Sequence, residues 1–187
     1  RISAVEIFSA LLKERAETGR IYIMNIDHSN SHSSFLDSIK MSNLCQEITL
    51  PTKPIQHIDD DQGEIALCIL SAINIGNLRN KNELEILCDL AVRALEEIID
   101  YQDYPLAAAE VSTKSRRSLG IGYIGLAHYL AKNNVKYNDP KAWKLVHDLT
   151  ESFQYYLLKS SNTIAKEKGA CSAFSKTKYS QNMLPID

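Results

Sequence analysis

The stretch from Asp139 to Gly169 constrains this chain most. Asp139-Pro140 is a helix-opening pair. Proline's fixed φ suits the first helical turn, and its missing N–H has no partner to lose there. The next strong stop is Gly169, so the pattern predicts one helix over roughly residues 140–168. A second amphipathic helix is expected from about 83 to 101, with Asn82 as its N-cap. Its apolar stripe is Leu84, Leu87, Cys88, Ala91, Leu95 and Ile98. Shorter helices are expected over 105–112 and 121–132. Another is expected over 3–18, with Val5, Phe8, Leu12 and Ala16 on one face and Gly19 as its stop. Two stretches read as strands: "RIYIMNID" (20–27), which alternates, and "EIALCILSAINI" (64–75), which looks buried. Residues 28–42 read as a polar loop, "CQEITL" as a short extended segment, and 51–63 as a turn-rich connector. Strands alternating with helices favour an α/β architecture, helix-rich in this case.

Bulk composition narrows the function classes. Among 187 residues, 44% are hydrophobic and 24% charged, which is ordinary globular usage. A net charge of -2 leaves no bulk electrostatic footprint for nucleic acid or an anionic membrane surface. No apolar run approaches the ~20 residues of a membrane span. The chain starts without Met, is already helix-like by Ala4 and stops at "LPID", so both ends read as cuts through a longer chain. Four scattered cysteines argue against a disulfide scaffold and for a reducing, cytoplasmic setting.

Most candidate sites have plain structural readings. Cys88 lies on a helix stripe and reads as core. Cys171 follows a helix stop with nothing to activate it. Gly120, Gly122 and Gly125 spell the dinucleotide fingerprint, but "STKSRRS" precedes them where an apolar strand is required. Close helix packing explains those glycines better, with Arg116 and Arg117 available for phosphate or carboxylate contacts. His28 and His32, with Cys45, lack the spacing of a zinc site. Tyr155 and Tyr156 invite a radical-relay reading, but adjacent helical residues do not face each other.

"SNLCQE" is different. In an extended segment Asn43, Cys45 and Glu47 would project to one side. An amide, a thiol and a carboxylate in a row suit a hydroxyl-bearing substrate. The carboxylate can take a proton, the amide can orient a hydroxyl, and the thiol can act as nucleophile or hydrogen-atom carrier. A loop whose polar groups simply face water is the alternative.

"SNLCQEITLPTKP", "GEIALCILSAINIG", "LAVRALEEIIDYQDYP", "RRSLGIGYIGLAHYLAK" and "QYYLLKSSNTIAKEKGAC" occur in that order. Together they resemble the large catalytic subunit of class I ribonucleotide reductases of the aerobic, enteric and phage type. The resemblance implies a ten-stranded α/β barrel of two parallel five-stranded halves. A finger loop (about 28–54) would enter it, followed by a second-half strand (about 64–75) and a helical region (about 82–170). It implies Cys45 as the thiyl radical that abstracts the 3′ hydrogen of ribose and Glu47 as acceptor of the 3′-hydroxyl proton. Asn43 would hydrogen-bond the substrate hydroxyls, and Cys68 would be one of two redox-active thiols, its partner outside this chain.

The resemblance further implies ribonucleoside diphosphates as substrates and a homodimeric large subunit. A di-iron tyrosyl small subunit would supply the radical, and thioredoxin or glutaredoxin the reducing equivalents. ATP and dATP effectors would bind outside this segment, which itself would hold no cofactor or metal. Tyr155-Tyr156 does not align with the family's relay pair. The segment is expected to be inactive without flanking regions of the large subunit. Two other readings stay open: a non-catalytic remnant or assembly module, and a thiol hydrolase pairing Cys45 with His28 or His32.

Overall fold

The computed structural model describes residues 1–80 and 82–184. The chain forms two units: Arg1–Thr52 with the segment from Thr177 onward, and Lys53–Lys176.

In the first unit, α1 (Ala4–Thr18) is the expected N-terminal helix. Glu6 accepts the Ser3 N–H at 3.2 Å, and Gly19 ends the helix at φ 66°, its N–H donating to Arg15 O. None of its residues is buried, so the expected apolar face of Val5, Phe8 and Leu12 is exposed. The strand expected over 20–27 is absent. Residues 20–25 are irregular, and α2 (Ile26–His32) takes up the end of that stretch and the start of the expected loop. Serine and asparagine side chains bond back to the carbonyls of the preceding turn: Ser29 Oγ to Asn25 O and Asn30 Nδ2 to Ile26 O. Asn30 also brackets Ile39, donating to its carbonyl at 2.9 Å and accepting its N–H at 2.8 Å. The returning segment pairs Thr177 with Phe35 and sends the Lys178 N–H to Ser34 O.

The second unit is built on two parallel strands. β1 (Ile69–Asn74) runs alongside β2 (Leu119–Ile124), with Leu70 opposite Gly120 and Ala72 opposite Gly122. Of residues 64–75, only 69–74 are strand. The crossover contains α3 (Asn82–Tyr101) and α4 (Ala107–Arg116), as parallel neighbours require a long connection. The expected helix over 121–132 is corrected: its first part is β2, and α5 (Leu126–Lys132) begins only after Gly125. Then α6 (Pro140–Lys168) runs between Asp139, whose side chain accepts the Lys141 N–H, and Gly169. The cap of α3 is Asn80 rather than Asn82: its Oδ1 accepts the N–H groups of Asn82 and Glu83.

One face of the sheet packs on α3 and α6. Ile73, Ile75, Leu84, Cys88, Leu149 and Phe153 form the core, and Tyr123 meets Phe153 edge to face at 5.5 Å. Along the outer seam of these helices, Arg93 bridges Asp89 and Glu167, Lys159 pairs with Glu85, and Lys168 with Glu97. Among the described residues no helix is long and apolar enough to cross a membrane.

Candidate active site

Residues 43–48 form a turn, not the extended row that alternation suggests. The Gln46 N–H donates to Asn43 O at 3.2 Å, and Gln46 adopts φ 61°. A left-handed residue at that point reverses the chain, so Cys45 is exposed within the turn. Asn43 closes the turn three ways. Its N–H donates to Ile48 O at 3.3 Å, its Oδ1 accepts the Ile48 N–H at 3.0 Å, and its Nδ2 donates to Glu47 Oε1 at 2.5 Å. The structure thus brings Asn43 and Glu47 together on either side of Cys45. The Asn43–Glu47 pair is made by the turn and not by the strand alternation that the spacing suggests.

Cys68 belongs to the second unit, directly before β1, and is partly buried. Burial pushes its thiol pKa up, because a thiolate loses solvation there. The segment leading to it is clamped by a feature the sequence reading missed. Lys53 and Glu64 pair through their backbones. The buried Glu64 carboxylate accepts from Arg116 Nε at 2.6 Å and faces Lys53 Nζ at 2.6 Å. An acid at the head of an apolar run was the available signal, since a buried carboxylate needs a cationic partner. Arg117 likewise serves carboxylates, holding Glu96 at 2.6 Å and Asp100 through two nitrogens.

The remaining candidates lie elsewhere in the fold. Gly120 and Gly122 lie within β2, not in a phosphate-cradling turn and not at a helix contact. Gly125 is set by its backbone, φ 80°, and by Asn74 Oδ1, which an added Cβ would approach to 2.4 Å. Cys88 is fully buried in the core, which pushes its thiol pKa up to about 11. Burial also pushes the Cys171 thiol up. His28 and His32 are exposed on α2. Among the described residues no cluster of three or more His, Cys, Asp or Glu could hold a metal. Tyr155 and Tyr156 do touch, edge on with ring centroids 5.6 Å apart, although they are adjacent on α6.

The whole chain, residues 1–187, matches the family model of the ribonucleotide reductase barrel domain. It is 58% identical over 189 residues to the ribonucleoside-diphosphate reductase subunit alpha of Haemophilus influenzae. Identity to ribonucleoside-diphosphate reductase 1 subunit alpha of Escherichia coli is 54% over 190 residues, and to the subunit alpha of Enterobacteria phage T4 it is 42% over 192. Each alignment covers 100% of this chain but 25% of the relative, so the chain spans about a quarter of their length. Among solved structures, the class Id ribonucleotide reductase alpha subunit of Actinobacillus ureae matches with a TM-score of 0.72 at 26% identity. That match covers 90% of this chain and 33% of the other. A helix-rich α/β segment with parallel strands agrees with a portion of such a barrel. The chain therefore belongs to the ribonucleotide reductase barrel-domain family.

Proposed function

We propose that this chain carries the radical-cysteine loop and one redox thiol of a reductase catalytic subunit acting on ribonucleoside diphosphates. The observation that carries the proposal is the exposed Cys45 between Asn43 and Glu47, whose side chains are already hydrogen-bonded to each other. A thiyl radical at Cys45 takes the hydrogen from C3′. Glu47 accepts the 3′-hydroxyl proton, and Asn43 orients the hydroxyl while tethering the carboxylate. The C2′–O bond then breaks. The leaving hydroxyl departs as water with one proton from the thiol pair, and C2′ receives the other hydrogen. The two electrons come from that pair, Cys68 and a cysteine outside this chain, which ends as a disulfide. Glu47 returns its proton, and Cys45 returns the hydrogen atom to C3′ and is a thiyl radical again. Burial pushes the Cys68 thiol up, favouring the protonated form of a group that must give up hydrogen.

Turnover on this reading needs several partners. They are the rest of a homodimeric large subunit, a di-iron tyrosyl small subunit as radical source, and thioredoxin or glutaredoxin to reduce the disulfide. ATP and dATP would act at sites elsewhere in the large subunit, and the setting would be cytoplasmic. The test is to combine the chain with polypeptides supplying the flanking regions and with the radical-generating subunit. Conversion of a ribonucleoside diphosphate to its deoxy form is then assayed, with Cys45→Ser in parallel. Activity that disappears in the variant supports the reading. A folded, assembled but inactive mixture sinks it and leaves a non-catalytic remnant or assembly module.

A further inference from the structure

Backbone conformation does not explain the first two glycines of "LGIGYI". Neither Gly120 nor Gly122 has a positive φ. Glycine weakens a strand interior, where it usually marks a close approach of other atoms. Both glycines lie on the side of the sheet that Cys68, Leu70 and Ala72 share, because Gly120 is opposite Leu70 and side chains alternate along each strand. Their surroundings differ. A Cβ at Gly120 would lie 2.5 Å from Leu70 Cδ2 and 3.0 Å from Cys68 Sγ. At Gly122 it would meet nothing within 4 Å. The space beside Gly120 is therefore already occupied, in part by the thiol.

We propose that Gly120 is a positioning residue for Cys68: its missing side chain gives the sulfur its seat against β2. The inference rests on the reading of Cys68 as a redox thiol. Thiol–disulfide exchange and closure of a disulfide both demand a defined sulfur position and an open line of attack. A methyl group at 120 would displace the sulfur and cover one of its sides.

The test uses the intact 187-residue chain, alkylated with iodoacetamide across a pH series, with each cysteine scored separately by peptide mass spectrometry. Gly120→Ala should slow Cys68 by about threefold to tenfold and raise the midpoint of its pH profile, since each unit of thiol pKa changes the thiolate fraction tenfold. Cys45 should keep its rate. Gly122→Ala should leave Cys68 unchanged. Leu70 is 57% exposed, so Leu70→Ala removes the 2.5 Å clash without opening the core. Relative to Leu70→Ala alone, the Leu70→Ala/Gly120→Ala pair should still slow Cys68. The proposal is overturned if that folded pair alkylates at the Leu70→Ala rate with the same pH midpoint. It is equally overturned if both Gly120→Ala backgrounds unfold, because Gly120 would then serve packing alone. The readout needs no turnover, so its failure and that of the Cys45→Ser assay are separately visible.

Discussion

Asn43 Nδ2 donates to Glu47 Oε1 across a turn that contains Cys45, and the same Asn43 side chain accepts the Ile48 N–H. Two substitutions separate these bonds. Asn43→Ala removes both, and the Ile48 amide should exchange about fivefold faster, the equivalent of roughly 1 kcal/mol for one net hydrogen bond. Asn43→Asp keeps an acceptor for Ile48 but sets two carboxylates face to face. Ile48 protection should largely survive, while repulsion between like charges removes the bond to Glu47. Amide exchange at Ile48, followed by NMR, separates the two variants.

The pairing of Arg116 with Glu64 predicts an asymmetric mutational response. Both side chains are almost fully buried, at 3% and 6% exposure. Arg116→Met strands a carboxylate, with Lys53 as its remaining ion-pair partner, and should cost about 3–5 kcal/mol in urea unfolding. Adding Glu64→Gln should recover most of that loss. A double variant as unstable as the single would rule out the stranded charge as the cause.

Acid should erode the same clamp. Burial pushes the Glu64 carboxyl up, but the hydrogen bonds and charges of Arg116 and Lys53 outweigh it and hold its pKa below the ordinary 4.5. A lowered folded-state pKa stabilises fully above the unfolded value and is lost as pH falls through the folded one. The stability gap between the parent and Glu64→Gln should therefore be widest near neutrality and narrow below about pH 4.5. Urea midpoints across pH 3–7 measure it.

Gly125 combines a left-handed backbone with a blocked Cβ direction, the obstacle being Asn74 Oδ1, which accepts the Gly76 N–H. Gly125→Ala should cost about 2–3 kcal/mol in chemical denaturation. Gly125→Asn tolerates the φ but not the contact, so it should fall between alanine and the parent.

The four thiols should react in an order set by exposure. Cys45 is exposed and should alkylate first, while Cys88 is fully buried with its thiol pKa near 11. At pH 8 only about one Cys88 in a thousand would be thiolate even with full access. Its labelling should track global unfolding, rising with denaturant in step with loss of circular dichroism signal.

Much of this was legible in the sequence wherever local chemistry and tertiary demand agree. Asp139-Pro140 and Gly169 bound α6, and the stripe of α3 places Leu84, Cys88 and Leu95 in buried positions. The triad of Asn43, Cys45 and Glu47 stood out by residue type. Its turn did not, because the reversal depends on Gln46 adopting a conformation that no glycine announces. β2 was hidden for a related reason. Glycines at 120 and 122 lower strand propensity, and only pairing with β1 reveals why they are tolerated. "RIYIMNID" misled in the opposite direction. Its alternation is real, but among the described residues no strand accepts its backbone, and α2 already begins at Ile26.

The pair β1–β2 has a practical consequence. Among the described residues each strand has a single neighbour, so each keeps one flank of N–H and C=O groups that no further strand engages. Such flanks accept strands from any source, including other molecules in the tube. Protein concentration is thus an experimental variable in its own right: dilute samples report on the individual chain, and concentrated ones also on self-association.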